Sequence, residues 1–224
     1  MAPRKTAPSK RRPPTDRLAT RLERAARTAI GIFRGQDAPF ALIGGIALGL
    51  RAAPRATQDV DFAVAIDDAA AERLVHAFQS AGFQIDAVLV NKRDRSLATV
   101  RVHDPNTKVL VDLLISFCGI EREIVESASI ERWRDLTLPV VTRGHLVAMK
   151  LLANRKKDQA DLESLLGGLP AADKRQALVA VGLIMADHRG DGRDLQRELK
   201  ELLLEARPSV PSGFQPRGPS KQRR

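Results

Sequence analysis

The spacing of apolar and polar positions changes along the chain, and each change marks an element. Leu18, Leu22, Ala25, Ala29 and Ile32 recur three or four apart, the spacing of one helical face. They predict a first helix from Thr15, read as its N-cap after Pro13-Pro14, to a stop at Gly35 and Pro39. Apolar runs at 40–43 and 60–66 predict strands. Between them lie a Gly44-Gly45 turn, a short helix at 46–50 and a loop with Pro54 and Thr57. Asp67 or Asp68 caps a helix that carries Leu74, Val75 and Phe78 and stops at Gly82. Residues 83–90 read as a strand, and 97–102 with 108–114 as a hairpin about the turn His103-Asp104-Pro105-Asn106. From about Gly144 the period is helical, with helices expected at 146–153, 158–166, 172–186 and 195–206. No repeat unit recurs. The pattern predicts an α+β fold, with a small mixed-sheet domain over 15–142 followed by a helical domain over 143–206.

Composition narrows the class. Of 224 residues 43% are hydrophobic but only 4% aromatic, so aliphatic side chains must fill the core. No apolar run approaches the roughly 20 residues that span a bilayer, and the basic N-terminal residues lack the apolar stretch of a signal peptide. Cys118, the single cysteine, excludes a disulfide framework and a cysteine-based zinc site. The expectation is a cytoplasmic protein with no membrane association. The formal net charge of +10 is confined to the ends. Arg4, Lys5, Lys10, Arg11 and Arg12 stand in 1–14, and Arg207, Arg217, Lys221, Arg223 and Arg224 in 207–224, neither segment with an acid. The body between them is neutral. Both tails are rich in Pro, Ser and Gly and read as disordered. They serve either as solubilising ends or as loose contacts to an RNA backbone through counterion release.

The candidate chemistry lies in the sheet half. Paired glycines after the first strand let backbone N–H groups approach a phosphate, and the helix that follows adds a favourable dipole. In the next strand Asp59 and Asp61, two apart, point to one face. Like charges so close repel unless a cation lies between them, and a hard ion such as Mg²⁺ or Mn²⁺ suits oxygen ligands. Asp112, alone in the apolar run 109–114, joins them if its strand pairs beside theirs; the alternative is an arginine partner. Taken singly, a Gly-Gly turn, an Asp-x-Asp or an acid in a strand is commonplace. Their order and placement on strand ends favour a site.

Ile43-Gly44-Gly45, Asp59-Val60-Asp61 and Asp112 together resemble the signature of the DNA polymerase β-like nucleotidyltransferase superfamily. Downstream, His145 to Ala153, with Leu146 and Lys150, and then Arg155-Lys156-Lys157-Asp158-Gln159-Ala160-Asp161-Leu162 resemble the AbiEii toxin group. The resemblance covers roughly 38–166. It implies a nucleotidyltransferase fold, an NTP substrate, and metal ligation by Asp59 and Asp61. It further implies that Lys150 contacts the nucleotide phosphates and that Arg155, Asp158 and Asp161 shape the nucleotide site. Members of the group include toxins of toxin–antitoxin pairs, some of which act on tRNA, so a cognate antitoxin and a tRNA or other RNA acceptor are implied partners. Read without the resemblance, Lys150 either snorkels to the surface or reaches into a cleft. Arg155-Lys156-Lys157 is a solvated turn or a triphosphate clamp in which Arg155 and Lys157 bind phosphate. Asp158 is an N-cap and Asp161 a salt-bridge partner, or both serve the site.

The expected activity is therefore metal-dependent transfer of NMP from an NTP to an acceptor. Asp59, Asp61, Asp112 and Lys150 form the catalytic set, with Gly44, Gly45, Thr57, Arg155, Lys157, Asp158 and Asp161 about the nucleotide. The alternatives are a non-catalytic nucleotide- or RNA-binding protein and an enzyme that NMPylates protein. Arg51 and Arg55 also stand where a triphosphate could be touched. His76, His103, His145 and His188 pair with no acid at ligand or catalytic spacing. Cys118 reads as a small buried hydrophobe, and Trp133 as packing between the sheet and the helices.

Overall fold

A computed structural model describes residues 14–90, 97–115, 119–187, 189, 190 and 192–206. The basic segments 1–13 and 207–224, and with them the expectation of disordered tails, lie outside the described residues, as do Cys118 and His188. Among the described residues the chain forms eight helices and one seven-stranded sheet. The elements are α1 (Pro14–Gly35), β1 (Phe40–Ile43), α2 (Gly44–Arg51), β2 (Asp59–Val64), α3 (Asp68–Ser80), β3 (Gln84–Val90), β4 (Leu97–Asp104) and β5 (Val109–Ile115). There follow α4 (Gly119–Glu126), β6 (Ser129–Trp133), β7 (Leu136–Val140), α5 (Arg143–Ala153), α6 (Lys156–Leu166), α7 (Ala171–Ala186) and α8 (Leu195–Glu205). The fold is α+β, as the periodicity predicts, and no helix is long and apolar enough to cross a membrane.

The sheet order is β3-β4-β5-β2-β1-β7-β6. It is mixed: β2 and β5 pair in parallel, whereas β2 is antiparallel to β1, and β5 to β4. Alternation along β2 sends Val60 and Phe62, both fully buried, to one face. There α1 and α3 cover the sheet, and Phe62 meets the ring of Phe33 edge-on at 5.0 Å. Phe33 also contacts Phe40 and Phe78, so four phenylalanine rings gather where α1 meets the sheet. The opposite face takes Asp59 and Asp61, on the side where α4 packs against β2. One buried core runs from α1 through the sheet to α7 and α8.

Three segments depart from the sequence expectation. α1 opens at Pro14, one residue before the expected cap; proline suits a first helical turn, where its missing N–H has no intrahelical partner. The β4–β5 turn falls at 105–108, later than 103–106, because Asp104 remains in β4. Its carboxylate accepts from the Asn106 N–H and the Thr107 hydroxyl, an Asx-type closure, and Lys108 takes φ 57°. Finally, α4, β6 and β7 occupy a stretch for which periodicity predicts no element. Each is short, and Pro139 and the turn at Arg134 (φ 54°) break the alternation.

Candidate active site

Residue register assembles the carboxylates. β1 ends at Ile43, which pairs with Asp61, and Asp61 pairs in turn with Asp112 across the parallel β2–β5 ladder. Asp59, Asp61 and Asp112 each present an oxygen within 4.8 Å of the others. Burial, then the charges of Asp59 and Asp112, push the Asp61 carboxyl up to about 6. An N–H from Gly45 partly opposes that shift. Three carboxylates held this close repel one another, and an all-oxygen donor set fits a hard divalent ion.

The glycine turn is shaped around these acids. Gly44 takes φ 66°, and a Cβ there would lie 1.8 Å from Asp61 Oδ2. At Gly45 a Cβ would lie 2.7 Å from Thr57 Oγ1. Thr57 stands behind the turn and donates its hydroxyl to Asp59 Oδ1. The acids, both glycines, Arg55, Arg101, Lys150, Arg155 and Lys157 all line one cavity of about 410 Å³. Its far side is apolar, with Ile120 and Ile124 from α4 facing Leu146 and Met149 from α5. Glu121 and Arg189, ion-paired at 2.8 Å, also border it.

Behind the basic wall is a buried ionic network. Lys150, 6% exposed, sits between Asp158 at 2.8 Å and Asp161 at 2.7 Å. Its head thus reaches into the cleft wall instead of snorkelling outward. Asp158 also accepts from the Arg155 guanidinium and from the Arg155 backbone N–H. It stands at the third position of α6 and accepts from the backbone N–H of the N-cap residue, Arg155, where the sequence reading makes Asp158 itself the cap. Burial pushes its carboxyl up, but the bonds from Arg155 and Lys150 outweigh this and bring it to about 2. Asp161 meets Arg55 at 3.3 Å as well as Lys150. Between them the two acids hold Arg55, Lys150 and Arg155, three of the cations that border the cavity.

Three pairings are invisible to sequence spacing. Arg101 grips Asp112 through two hydrogen bonds of 2.6 Å, so the acid has the arginine partner named as its alternative and also stands beside Asp59 and Asp61. His103 meets Asp86 at 2.6 Å across the β3–β4 ladder, so this histidine does have an acidic partner, at the sheet edge away from the cavity. Arg51, a candidate for triphosphate contact, instead bonds the carbonyls of Val140 and Val141, Glu131 and Ser129. His145 is buried, with Nδ1 on the Thr142 hydroxyl and Nε2 3.9 Å from Glu123. His76 is exposed. Trp133 borders Leu18 and Leu22 of α1 and Ile46 of α2.

Comparison with known proteins supplies an independent finding. The family profile described as "Nucleotidyl transferase AbiEii toxin, Type IV TA system" matches residues 32–213. No curated protein matches the chain. The solved structure of the antibiotic-resistance factor ANT(2'')-Ia is similar, with 11% identity and a TM-score of 0.51 over 78% of this chain and 94% of that one. At that identity the likeness is one of fold. Looser likenesses are to the lincosamide antibiotic adenylyltransferase LnuA, with 12% identity and TM-score 0.44 over 64% of this chain and 95% of that one. A nucleotidyltransferase-like antigen of Paracoccidioides brasiliensis has 18% identity and TM-score 0.44, covering 83% and 93%.

Proposed function

The chain belongs to the nucleotidyl transferase AbiEii toxin family, and on that premise we propose that it moves NMP from an NTP to an acceptor hydroxyl with a divalent metal held by Asp59, Asp61 and Asp112. The observation that carries this reading is the convergence of those three carboxylates, within 4.8 Å of one another, beside the Gly44 turn. When bound, Mg²⁺ or Mn²⁺ would supply electrostatic stabilisation of the charge that develops on the transferred phosphoryl group. The chain's own residues do the rest.

The triphosphate takes the side of the Gly44-Gly45 turn, where the amino end of α2 favours negative charge. Arg55, Lys150, Arg155 and Lys157 border that part of the cleft and neutralise the phosphates. Asp158 and Asp161 fix Lys150 from behind, so its charge is in position before substrate arrives. Thr57 orients Asp59. Asp112 is the group we assign to accept the proton of the attacking hydroxyl. The acceptor oxygen bonds to the α-phosphorus, the bond from that phosphorus to the α–β bridging oxygen breaks, and pyrophosphate leaves. Family membership makes a tRNA or another RNA the first acceptor to test, with toxicity and a cognate antitoxin as the corresponding biology. The retention of all three acids weighs against a non-catalytic nucleotide or RNA binder.

The test is transfer of label from each α-labelled NTP, with Mg²⁺, into a mixture of total RNA and cell protein, beside Asp59→Ala. Label in small RNA that disappears in the variant supports an RNA acceptor. Label in protein turns the reading to NMPylation. NTP binding with no transfer favours the non-catalytic binder, and absence of NTP binding refutes the proposal.

A further inference from the structure

Asp112 has two claims on it. The proposed reaction needs its carboxylate beside Asp59 and Asp61 around a cation. In the structure both oxygens are already engaged, Oδ1 by Arg101 Nε and Oδ2 by Arg101 Nη2, each at 2.6 Å. This is the parallel fork that makes arginine a strong carboxylate partner. The guanidinium also feels Asp59 and Asp61. Lys150 acts on Asp61 through its field, while its ammonium is ion-paired with Asp158 and Asp161. Arg101 is the cation that hydrogen-bonds directly to the acidic cluster among the described residues.

The backbone around Arg101 is anchored while its side chain faces solvent. Val100 and Val102, on the opposite face of β4, are fully buried, and Arg101 lies directly across the ladder from Asp112. Its own side chain is 45% exposed. A change of rotamer alone would carry the guanidinium into solvent and free both oxygens, with no movement of the sheet.

We propose that Arg101 is a positioning residue that holds Asp112 in the metal-free protein, stands in for the divalent ion by neutralising the cluster, and must release Asp112 for that ion to bind. This rests on the reading that the three carboxylates bind a metal. Its consequence is opposite signs: Arg101 stabilises the metal-free chain and weakens its metal affinity by the fraction of molecules in which the grip is closed. A partly exposed ion pair of this kind reduces affinity on the order of fivefold.

The experiment is calorimetric titration of the full chain with Mn²⁺ in the absence of nucleotide, together with melting temperatures in EDTA and in saturating Mn²⁺. It compares wild type, Arg101→Gln and Arg101→Lys. Lysine keeps the charge but loses the bidentate fork. Both variants are expected to bind Mn²⁺ more tightly, on the order of fivefold. Both should melt lower than wild type in EDTA, with the gap narrowing in Mn²⁺. Should Arg101→Gln be unfolded in EDTA, Arg101→Lys alone decides the comparison. Wild-type affinity in Arg101→Lys, whatever Arg101→Gln does, would reduce the effect to net charge and overturn the proposal. Weaker binding in both variants would overturn it too. If the folded wild type and variants all fail to bind Mn²⁺, the metal reading falls and this inference with it.

Discussion

Asp158 shows how a single side chain can be committed to structure and still govern a site. Its carboxyl accepts from Lys150, from the Arg155 guanidinium and from the Arg155 backbone N–H. In the folded chain it titrates at about 2, against an ordinary value of 3.8. The sign follows directly. An acid whose pKa is lower in the folded state stabilises that state above pH 3.8, and the contribution disappears as pH falls toward 2. A shift of this size corresponds to about 2 kcal/mol. Asp158→Asn is therefore expected to lose about that much stability at pH 7 and to have a shallower fall in stability between pH 4 and pH 2. Denaturant unfolding of both proteins across that range measures it. Parallel acid limbs would mean that Asp158 is not the group responsible. The same substitution loosens Lys150, so its effect on NTP affinity reports how much the clefts's charge depends on being held from behind.

At the scale of elements, the sheet matters through register. The run of apolar residues with Asp112 and the pair Asp59 and Asp61 identify two strands, but only the parallel β2–β5 pairing sets Asp61 opposite Asp112. Local pattern carries no record of which strands become neighbours, and for that reason the sequence reading leaves their meeting conditional. The hairpin illustrates the same limit. A turn at 103–106 would set Asp112 opposite Leu97, whereas the observed closure sets it opposite Arg101. A shift in the turn thus hid the partner of a residue that the pattern had singled out. The helices after Gly144 were legible from their length, 11 to 16 residues, beyond that of the strands before them. α4 and the β6–β7 hairpin were not, although α4 supplies Ile120, Glu121 and Ile124 to the cavity. Arg51 belongs at this scale. It sits at the carboxyl end of α2 and ties it to Val140, Val141, Glu131 and Ser129, so it braces the helix that carries the glycine turn. Arg51→Ala is expected to cost about 2 kcal/mol of stability through the lost hydrogen bonds, while NTP affinity at a temperature where the chain stays folded changes less than about threefold. A large loss of affinity with unchanged stability would instead return Arg51 to the triphosphate.

For the whole molecule, the distribution of charge separates two ways of meeting an RNA acceptor. The ten basic residues of 1–13 and 207–224 account for the entire net charge of +10. Residues 14–206 are neutral overall, yet Arg55, Arg155 and Lys157 gather at one cavity with Arg101 across from them. Affinity that comes from neutralising phosphates falls with salt in proportion to the number of contacts. If the ends supply the contacts, a chain restricted to 14–206 should bind RNA at least about tenfold more weakly at low salt and show a much flatter salt dependence. Its turnover of NTP should be unchanged, because every residue of the proposed site is retained. Filter binding of labelled RNA across a salt series, beside the transfer assay, measures both quantities on the same preparations. Equal RNA affinity and equal salt slope in the two chains would place the contacts in the neutral body. The basic residues around the cleft would then serve the acceptor as well as the triphosphate, and the terminal charges would be left with solubility as their role.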